Sequence, residues 1–320
     1  MPPLPNLFIP GAPKCGTSAV AGYLDTHPDV GLGNIKEPNF WSSDLPSFAK
    51  REGLSGLGDY TALYSRQSDK RYRVDASTHY LYSEVAIQRI IEVLPNARFI
   101  VCLRPQPEIA QAWHMQMFNA GYETEPDFLA AWNLRTARRS GADIPNRCPE
   151  PRLLDYEAIA SVGAQMQRLF EAVSREQVHV MRLSALKQNP RSEYLSILEF
   201  LNLPDDGTSE FAATNVAHRN RSATLSHLIR SPRVRPLLNR ALAMLGPGTS
   251  QWIKTGIKKV LYKPAARAGL STLARTELSE IFSVDDQRLR ATLGYGLLES
   301  SVNSTTTKSF ADTHTGTPST

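Results

Sequence analysis

Short apolar runs alternate with longer amphipathic segments along the first part of the chain. Three runs have the length and the β-branched content of buried strands; they cover residues 7–9, 98–103 and 178–182. Apolar residues recur at helical spacing from Thr17 to about His27, and again over 84–94, 108–119, 126–139, 159–173 and 191–201. Strands that alternate with long helices predict an α/β fold, with a parallel sheet of about four or five strands flanked by helices.

The pattern changes after residue 210, where basic residues dominate. Residues 211–276 contain twelve Lys or Arg and no Asp or Glu. This basic segment therefore carries +12, and the rest of the chain sums to −7 within the net charge of +5. Apolar residues are interspersed among the basic ones, and residues 277–293 have the pattern of a mixed-charge helix.

Composition and pattern together predict one domain and a tail. The chain has 320 residues, of which 41% are hydrophobic and 21% charged, as in globular proteins. We expect a domain over residues 1–300, with its core at 6–222 and a basic helical extension at 223–300. Residues 301–320 contain eleven Ser or Thr and little that could form a core, so we predict a disordered tail there.

Cysteine content and the apolar runs bear on the cellular compartment. Three cysteines are too few for a disulfide-rich secreted scaffold. The first residues lack the basic start and apolar stretch of a signal peptide, and no run of about 18 apolar residues occurs. We therefore expect a protein of the cytoplasm.

A glycine-bounded loop lies between the first strand and the first helix. It reads Gly11-Ala-Pro-Lys14-Cys15-Gly16-Thr17-Ser18. Backbone N–H groups converge where such a loop opens a helix, and the helix dipole favours an anion there. The glycine spacing matches that of nucleotide triphosphatases, but their Lys after the second glycine is absent, and Lys14 lies inside the loop instead. The sequence predicts an anion site at this loop.

Further motifs follow the loop in a fixed order. They are His27-Pro28, Lys36-Glu37-Pro38, the strand that runs into Arg104, Phe200-Leu-Asn-Leu-Pro204 and His218-Arg-Asn-Arg-Ser222. Together with the loop they closely resemble sulfotransferases that use 3′-phosphoadenosine 5′-phosphosulfate (PAPS). The similarity extends over about residues 6–222. It implies a P-loop NTPase-like three-layer fold and transfer of a sulfuryl group to a hydroxyl, expected on a carbohydrate or glycolipid acceptor.

The resemblance also assigns the donor site. It implies that Lys14, Cys15, Gly16, Thr17 and Ser18 hold the 5′-phosphosulfate. Arg104 would bind the 3′-phosphate, with help from Arg219 and Arg221. Because parallel strands end at the same edge of a sheet, Lys14 and Arg104 are expected to provide two cationic sites for one ligand with two anionic ends. Lys14 would also act in catalysis, by stabilising charge on the leaving phosphate.

Two residues compete for the role of the general base that an alcohol acceptor requires. Resemblance to heparan-type sulfotransferases implies Glu37. His79 is the alternative, since a neutral imidazole is suited to proton abstraction near neutral pH. No cluster of residues has metal-ligand spacing, and the transferred group carries little negative charge, so we expect no metal.

Three residues call for separate expectations. Ala112 stands where the family usually has a serine that shares the 3′-phosphate, so one donor is missing unless Arg219 or Arg221 compensates. Cys15 lies in a cationic loop where a thiolate would be favoured, but we expect a structural role for it. His114 could face the acceptor, although a packing role is the simpler interpretation.

Alternatives to the sulfotransferase remain. A P-loop kinase or nucleotide phosphotransferase is disfavoured because the Gly-Lys-Ser/Thr motif and an evident magnesium carboxylate are absent. A degenerate, non-catalytic nucleotide-binding protein is favoured only by Ala112. For the basic segment beyond the donor site, peripheral association with an anionic membrane and capture of an anionic acceptor both stay open. Nucleic acid is not expected as a partner, since no nucleic-acid-binding fold is evident.

Overall fold

The core of the protein is a sheet of five parallel strands. The computed structural model describes residues 3–47, 53–211, 218–220, 262–264 and 269–298. The strands are β1 (Leu7–Gly11), β2 (Val30–Leu32), β3 (Tyr72–Asp75), β4 (Arg98–Leu103) and β5 (Val178–Arg182), in the spatial order β2-β3-β1-β4-β5. In the central strand β1, Leu7 lies opposite Val74 of β3 and Arg98 of β4.

Helices flank this sheet. They are α1 (Thr17–Leu24), α2 (Leu57–Ala62), α3 (Ala86–Val93), α4 (Gln106–Ala120), α5 (Phe128–Asn133), α6 (Arg135–Arg139), α7 (Tyr156–Ala160), α8 (Val162–Ala172), α9 (Leu183–Gln188), α10 (Pro190–Leu201), α11 (Thr272–Ile281) and α12 (Ser283–Leu293). Every residue of β1 is buried, as are all but the first of β4. Central strands that are apolar throughout require cover on both faces, which is typical of a three-layer α/β fold.

The predicted fold class is confirmed, and the three predicted strands are present as β1, β4 and β5. The sequence analysis missed β2 and β3, which are short and carry glycine or polar residues: Gly31, Arg73 and Asp75. They belong to the sheet because each pairs in register with a neighbouring strand. Tertiary pairing thus overrides weak local strand propensity in this half of the sheet.

Three of the predicted helices are divided in the structure, so their continuous spans were wrong. Residues 126–139 form α5 and α6, residues 159–173 contribute to α7 and α8, and the helix expected over 277–293 starts earlier, as α11 and α12.

The break between α7 and α8 has a clear cause. Ser161 leaves the helical conformation, and the carboxylate of Asp285 on α12 accepts the N–H groups of Gly163 and Ala164, both at 2.9 Å. A distant carboxylate thus caps a new helix.

The part of the chain after residue 211 is described only in pieces. Two short strands, β6 (His218–Asn220) and β7 (Tyr262–Pro264), pair antiparallel, and α11 and α12 follow. Most of the basic segment and the predicted tail at 301–320 lie outside the described residues. Within the described ranges, no helix is long and apolar enough to cross a membrane.

Candidate active site

The glycine loop lies at the carboxyl end of the central strand. Two close approaches explain its glycines. A Cβ on Gly11 would lie 2.9 Å from the Cβ of Leu81, and one on Gly16 would lie 2.9 Å from Leu183. Gly16 also has a φ of 98°, which side chains disfavour. The loop is therefore packed tightly between its neighbours and leads directly into the N-terminus of α1.

Lys14 projects from this loop towards α4. Its φ is 67°, an unusual left-handed conformation for a lysine. Its Nζ donates a hydrogen bond of 2.9 Å to Oε1 of Gln116. Sequence analysis did not assign Gln116 a role, and a helix position alone does not reveal it.

Arg104, immediately after β4, belongs to a three-residue charge network. Its Nε donates to Glu108 Oε2 at 2.6 Å, and Nη1 of Arg275 on α11 donates to the other carboxylate oxygen at 3.0 Å. Burial alone would raise the pKa of the Glu108 carboxyl, but the two arginines hold that pKa below its usual value. The buried Nη1 of Arg104 has no hydrogen-bond partner among the described residues. The network therefore carries a net charge of +1 and one spare donor.

Glu108, Ala112 and Gln116 are spaced four residues apart, so they share one face of α4. Glu108 contacts Arg104, and Gln116 contacts Lys14. Ala112 is buried between them and offers no polar atom. This face of α4 thus connects the two predicted cationic residues and has a gap in its polar groups at Ala112.

Lys36 and Glu37 lie beside the start of α1. Nζ of Lys36 donates to Ser18 Oγ at 2.6 Å and lies 3.6 Å from Glu37 Oε1. The Glu37 side chain is 26% exposed. Glu37 and Asn39 both have positive φ, at 58° and 51°. With Lys14, they are three of the five non-glycine residues with positive φ in the described part of the chain, and such conformations cluster at functional sites.

A buried hydroxyl–carboxylate cluster supports the loop that bears Glu37. Ser77 Oγ donates to Asp75 Oδ1 at 2.6 Å and accepts from the N–H of Asn39 at 3.0 Å. The side chain of Asn39 in turn donates to the carbonyl of Glu37 at 2.8 Å. Tyr60 and Tyr80 also donate to Asp75, whose pKa is raised to about 6 by burial against the opposing effect of these hydrogen bonds. Glu37 is therefore held by a chain of bonds from the end of β3.

His79 occupies a different environment from Glu37. It is 3% exposed, and its ring meets that of Trp113 edge-on at a centroid distance of 5.3 Å. A base has to contact the acceptor hydroxyl. Burial separates the His79 ring from solvent in this conformation.

The structure also shows the environments of Cys15 and His114, for which the sequence raised separate expectations. Cys15 is fully buried, and burial raises the pKa of its thiol, so it would serve a ligand through its backbone. His114 is packed among Phe118, Phe128 and Tyr156, with Nε2 2.9 Å from the carbonyl of Glu125, as the packing interpretation predicted.

Not all of the predicted donor residues are described. Thr17 is buried at the start of α1, and Ser18 contacts Lys36, so the loop and the Glu37 segment meet. Arg219 lies in β6, of which only the backbone is described, and Arg221 lies outside the described residues. Within the described ranges, no group of three side chains suited to binding a metal converges.

Several known proteins share sequence or fold with this chain. A bifunctional heparan sulfate N-deacetylase/N-sulfotransferase 1 of Caenorhabditis briggsae is 22% identical over 212 residues, which are 63% of this chain and 23% of that protein. The human bifunctional heparan sulfate N-deacetylase/N-sulfotransferase 2 is 26% identical over 211 residues, 62% of this chain and 22% of that protein. The chain thus spans less than a quarter of the length of these relatives. No family model matches it.

A solved structure shares the fold of this chain. A sulfotransferase from Alicyclobacillus acidocaldarius superimposes with a TM-score of 0.64 and 23% identity, covering 92% of this chain and 98% of that one. This structure and the sequence relatives agree with the resemblance to sulfotransferases seen in the sequence. The chain thus resembles sulfotransferases in sequence, and it shares the P-loop NTPase-like α/β fold of this solved one.

Proposed function

We propose that the protein transfers a sulfuryl group from PAPS to a hydroxyl of a carbohydrate or glycolipid. The observation that carries this proposal is the pair of cationic sites at the ends of adjacent strands. Lys14 follows β1 and Arg104 follows β4, and the two strands pair in parallel. Ligands of open α/β sheets bind at this edge. Two separated cations suit a nucleotide with phosphate groups at both the 5′ and the 3′ position.

The charge at Arg104 favours a phosphate. Arg104 and Glu108 alone would form a neutral pair, which would not attract an anion. Arg275 adds a second positive charge to this pair and leaves the network at +1. The spare Nη1 of Arg104 is a buried donor that a 3′-phosphate oxygen would satisfy, and buried donors are costly when unpaired.

The glycine loop would bind the other end of the donor. Its backbone N–H groups and Lys14 would stabilise the charge that develops on the 5′-phosphate as the S–O bond to it breaks. That phosphate oxygen keeps the bonding electron pair. On donor binding, the Lys14 ammonium would leave Gln116 and contact the phosphate.

Glu37 is the base that the geometry favours. Its carboxylate is partly exposed beside Lys36, whereas His79 is buried against Trp113. Glu37 would accept the proton of the acceptor hydroxyl while its oxygen attacks sulfur in line with the leaving phosphate. Lys36, bonded to Ser18 at the start of α1, lies between the base and the donor loop and would contact the transferred group.

The glycan acceptor rests on similarity. The relatives are named for heparan sulfate, and we infer a carbohydrate acceptor for this chain by analogy with them. The membrane association considered for the basic segment stays a prediction, because most of that segment lies outside the described residues.

A magnesium-dependent phosphotransferase is less compatible with the site. Sequence analysis found no evident carboxylate after a strand, yet Asp75 does end β3, next to β1. Its two oxygens already accept three hydroxyl hydrogen bonds, from Ser77, Tyr60 and Tyr80, and the side chain is buried. Asp75 is thus occupied in supporting the Glu37 loop.

Transfer of radiolabelled sulfate from PAPS to a panel of glycans, glycolipids and small alcohols tests the function. We expect labelled product with the wild type and a loss of kcat of at least about 100-fold for Glu37→Gln, with the affinity for adenosine 3′,5′-bisphosphate retained. Glu199→Gln, an equivalent change on the exposed face of α10, is the matched control and should behave as the wild type. Full activity of Glu37→Gln together with an inactive His79→Ala would show that His79 is the base.

A further inference from the structure

A cleft of about 510 Å³ lies outside the site described above, where α6, α7, α8 and α12 meet. It is lined by five arginines and three carboxylates, with Tyr82 and Gln165 among its other residues. The volume is within the range of about 300–1,000 Å³ that is typical of small-molecule sites. No residue of the proposed donor site lines it.

Three of the arginines are neutralised by carboxylates. Arg138 is paired with Glu123, with 2.6 Å between Nη1 and Oε2. Arg139 contacts both Asp155 and Glu157, at 2.7 and 3.1 Å. The third, Arg152, contacts Asp44 at 3.0 Å and Glu84 at 3.3 Å.

The other two arginines, Arg168 on α8 and Arg288 on α12, differ from these. Within the described part of the chain, neither has a carboxylate within salt-bridge distance. Among the described residues, Arg168 donates only to the carbonyls of Leu81 and Tyr82, at 3.3 and 3.4 Å, and Arg288 is exposed. Arg135 shares Glu157 with Arg139, so six arginines face five carboxylates around the cleft and the net charge is +1. The two guanidinium groups that no carboxylate contacts among the described residues are where an anion is favoured.

Gln165 contributes a buried acceptor to the cleft, which requires a hydrogen-bond donor on the ligand. It is 2% exposed, and its Nε2 donates to the carbonyls of Ala158 and Ile159, which fixes the orientation of the amide. Its buried Oε1 has no hydrogen-bond partner among the described residues. A hydroxyl of a ligand would satisfy this acceptor, and the carboxylates of Asp155 and Glu157 at the cleft offer more acceptors. The lining thus suits a ligand that is both anionic and hydroxylated.

Residues that line the cleft, or that contact its lining, lie close in the sequence to the two candidate bases. Tyr82 lies three residues after His79, and the preceding Leu81 packs against Gly11 of the donor loop. On the other side, Arg152 contacts Asp44, seven residues after Glu37. The cleft is therefore joined to the segments of both candidate bases by short stretches of chain.

We propose that the Arg168–Arg288 cleft binds an anionic sugar unit of the acceptor. The recognised groups are a carboxylate or sulfate, held by Arg168 and Arg288, and a ring hydroxyl that donates to Gln165. This inference rests on the proposed function, since it assigns the cleft to the acceptor of that reaction. It names residues that bind the acceptor apart from those that transfer the sulfuryl group.

Calorimetry with two hexasaccharides of equal length tests the cleft. One alternates glucuronate and N-acetylglucosamine, and the other contains N-acetylglucosamine alone. We expect the wild type to bind the uronate-containing chain at least about tenfold more tightly. Arg288→Gln, which removes an exposed side chain with no hydrogen bond among the described residues, should remove much of this preference. The double variant Arg168→Gln/Arg288→Gln should abolish it.

Arg66→Gln, the same change of charge at an exposed position of the turn at Ser65–Gln67, is the matched control. Retained preference in the double variant, equal binding of the two hexasaccharides to the wild type, or an equal loss in Arg66→Gln would overturn the proposal. Competition by inorganic sulfate alone at millimolar concentration, without any preference for the sugar, would also overturn it. Affinity for adenosine 3′,5′-bisphosphate is measured in parallel. A defect in the donor site would therefore lower the affinity for the bisphosphate, whereas a defect in the cleft would change only the sugar titrations.

Discussion

Two arginine–carboxylate networks of this protein contain similar residues but differ in whether their charges and hydrogen-bond donors are satisfied. In the first, Arg138 makes two hydrogen bonds to Glu123, which also accepts from Tyr156, and the arginine's Nε donates to the carbonyl of Asp143. Both charged side chains are almost entirely buried. In the second, Arg104 shares Glu108 with Arg275 and keeps a buried Nη1 without a partner among the described residues.

The difference separates structural ion pairs from ligand sites. The Arg138 network is neutral and complete, so a ligand would gain nothing by entering it. The Arg104 network has excess positive charge and one unsatisfied donor, which is the state expected of a site awaiting an anion. Charge and hydrogen-bond completeness together are more informative here than the presence of an arginine.

The largest expected effect is on stability, at the complete network. Arg138→Met leaves the buried Glu123 carboxylate without its cation, and we expect the free energy of unfolding to fall by about 3–5 kcal/mol. Chemical denaturation measures the change. The affinity ratio between adenosine 3′,5′-bisphosphate and adenosine 5′-monophosphate should stay at the wild-type value. A changed ratio at wild-type stability would reverse the assignment of the two networks.

Asp75 extends the comparison, because it is a buried carboxylate that pairs with no arginine among the described residues. Because burial raises its pKa to about 6, the folded state binds a proton more tightly than the unfolded state between about pH 4 and pH 6. Wild-type stability should therefore fall as pH rises through this range, by about 2–3 kcal/mol relative to Asp75→Asn, which does not titrate. Denaturation at pH 4, 5, 6 and 7 tests this. Parallel stability profiles for the two proteins would contradict it.

A smaller effect is expected at Arg275. Arg275→Gln leaves Arg104 and Glu108 as a neutral pair, so the affinity for adenosine 3′,5′-bisphosphate should fall about 3–10-fold, while that for adenosine 5′-monophosphate is unchanged. Isothermal titration gives both values. Arg290→Gln, an arginine paired with Asp286 on α12, is the matched control. An equal loss for both nucleotides would mean that Arg275 acts only through the fold.

The smallest effect concerns the gap in the polar face of α4. Ala112→Ser places a hydroxyl between Glu108 and Gln116, at the position where the resemblance implies a phosphate ligand. We expect adenosine 3′,5′-bisphosphate to bind about 2–5-fold more tightly, the net gain of one added hydrogen bond. Ala110→Ser on another face of the same helix controls for the mutation itself. Weaker binding by Ala112→Ser would place the 3′-phosphate elsewhere.

The sequence predicted the longer strands better than the short ones, wherever they lie in the sheet. The strands β1, β4 and β5 have five or six residues and are mostly apolar, whereas β2 and β3 have three and four residues and mixed composition, so only pairing reveals them. Similarly, the break at Ser161 depends on Asp285, more than a hundred residues away. No local pattern contains that information.

The candidate site was predictable as a set of motifs but not as a set of contacts. The loop, Glu37 and Arg104 follow from the order of the motifs. The pairing of Arg104 with Glu108 could have been found, because they are only four residues apart in the sequence, at the start of α4. The contacts of Lys14 with Gln116 and of Glu108 with Arg275 join residues 102 and 167 positions apart. They depend on how α4 and α11 pack, which local spacing does not show.

The comparison of adenosine 3′,5′-bisphosphate with adenosine 5′-monophosphate and ATP tests the central claim most directly. If two cationic sites bind the two ends of the donor, the bisphosphate should stabilise the wild-type protein far more than either of the other nucleotides in a thermal-shift titration. Arg104→Ala should lose that advantage and retain the wild-type melting temperature within a few degrees. Equal stabilisation by the three nucleotides, or an undiminished advantage in Arg104→Ala, would contradict the account.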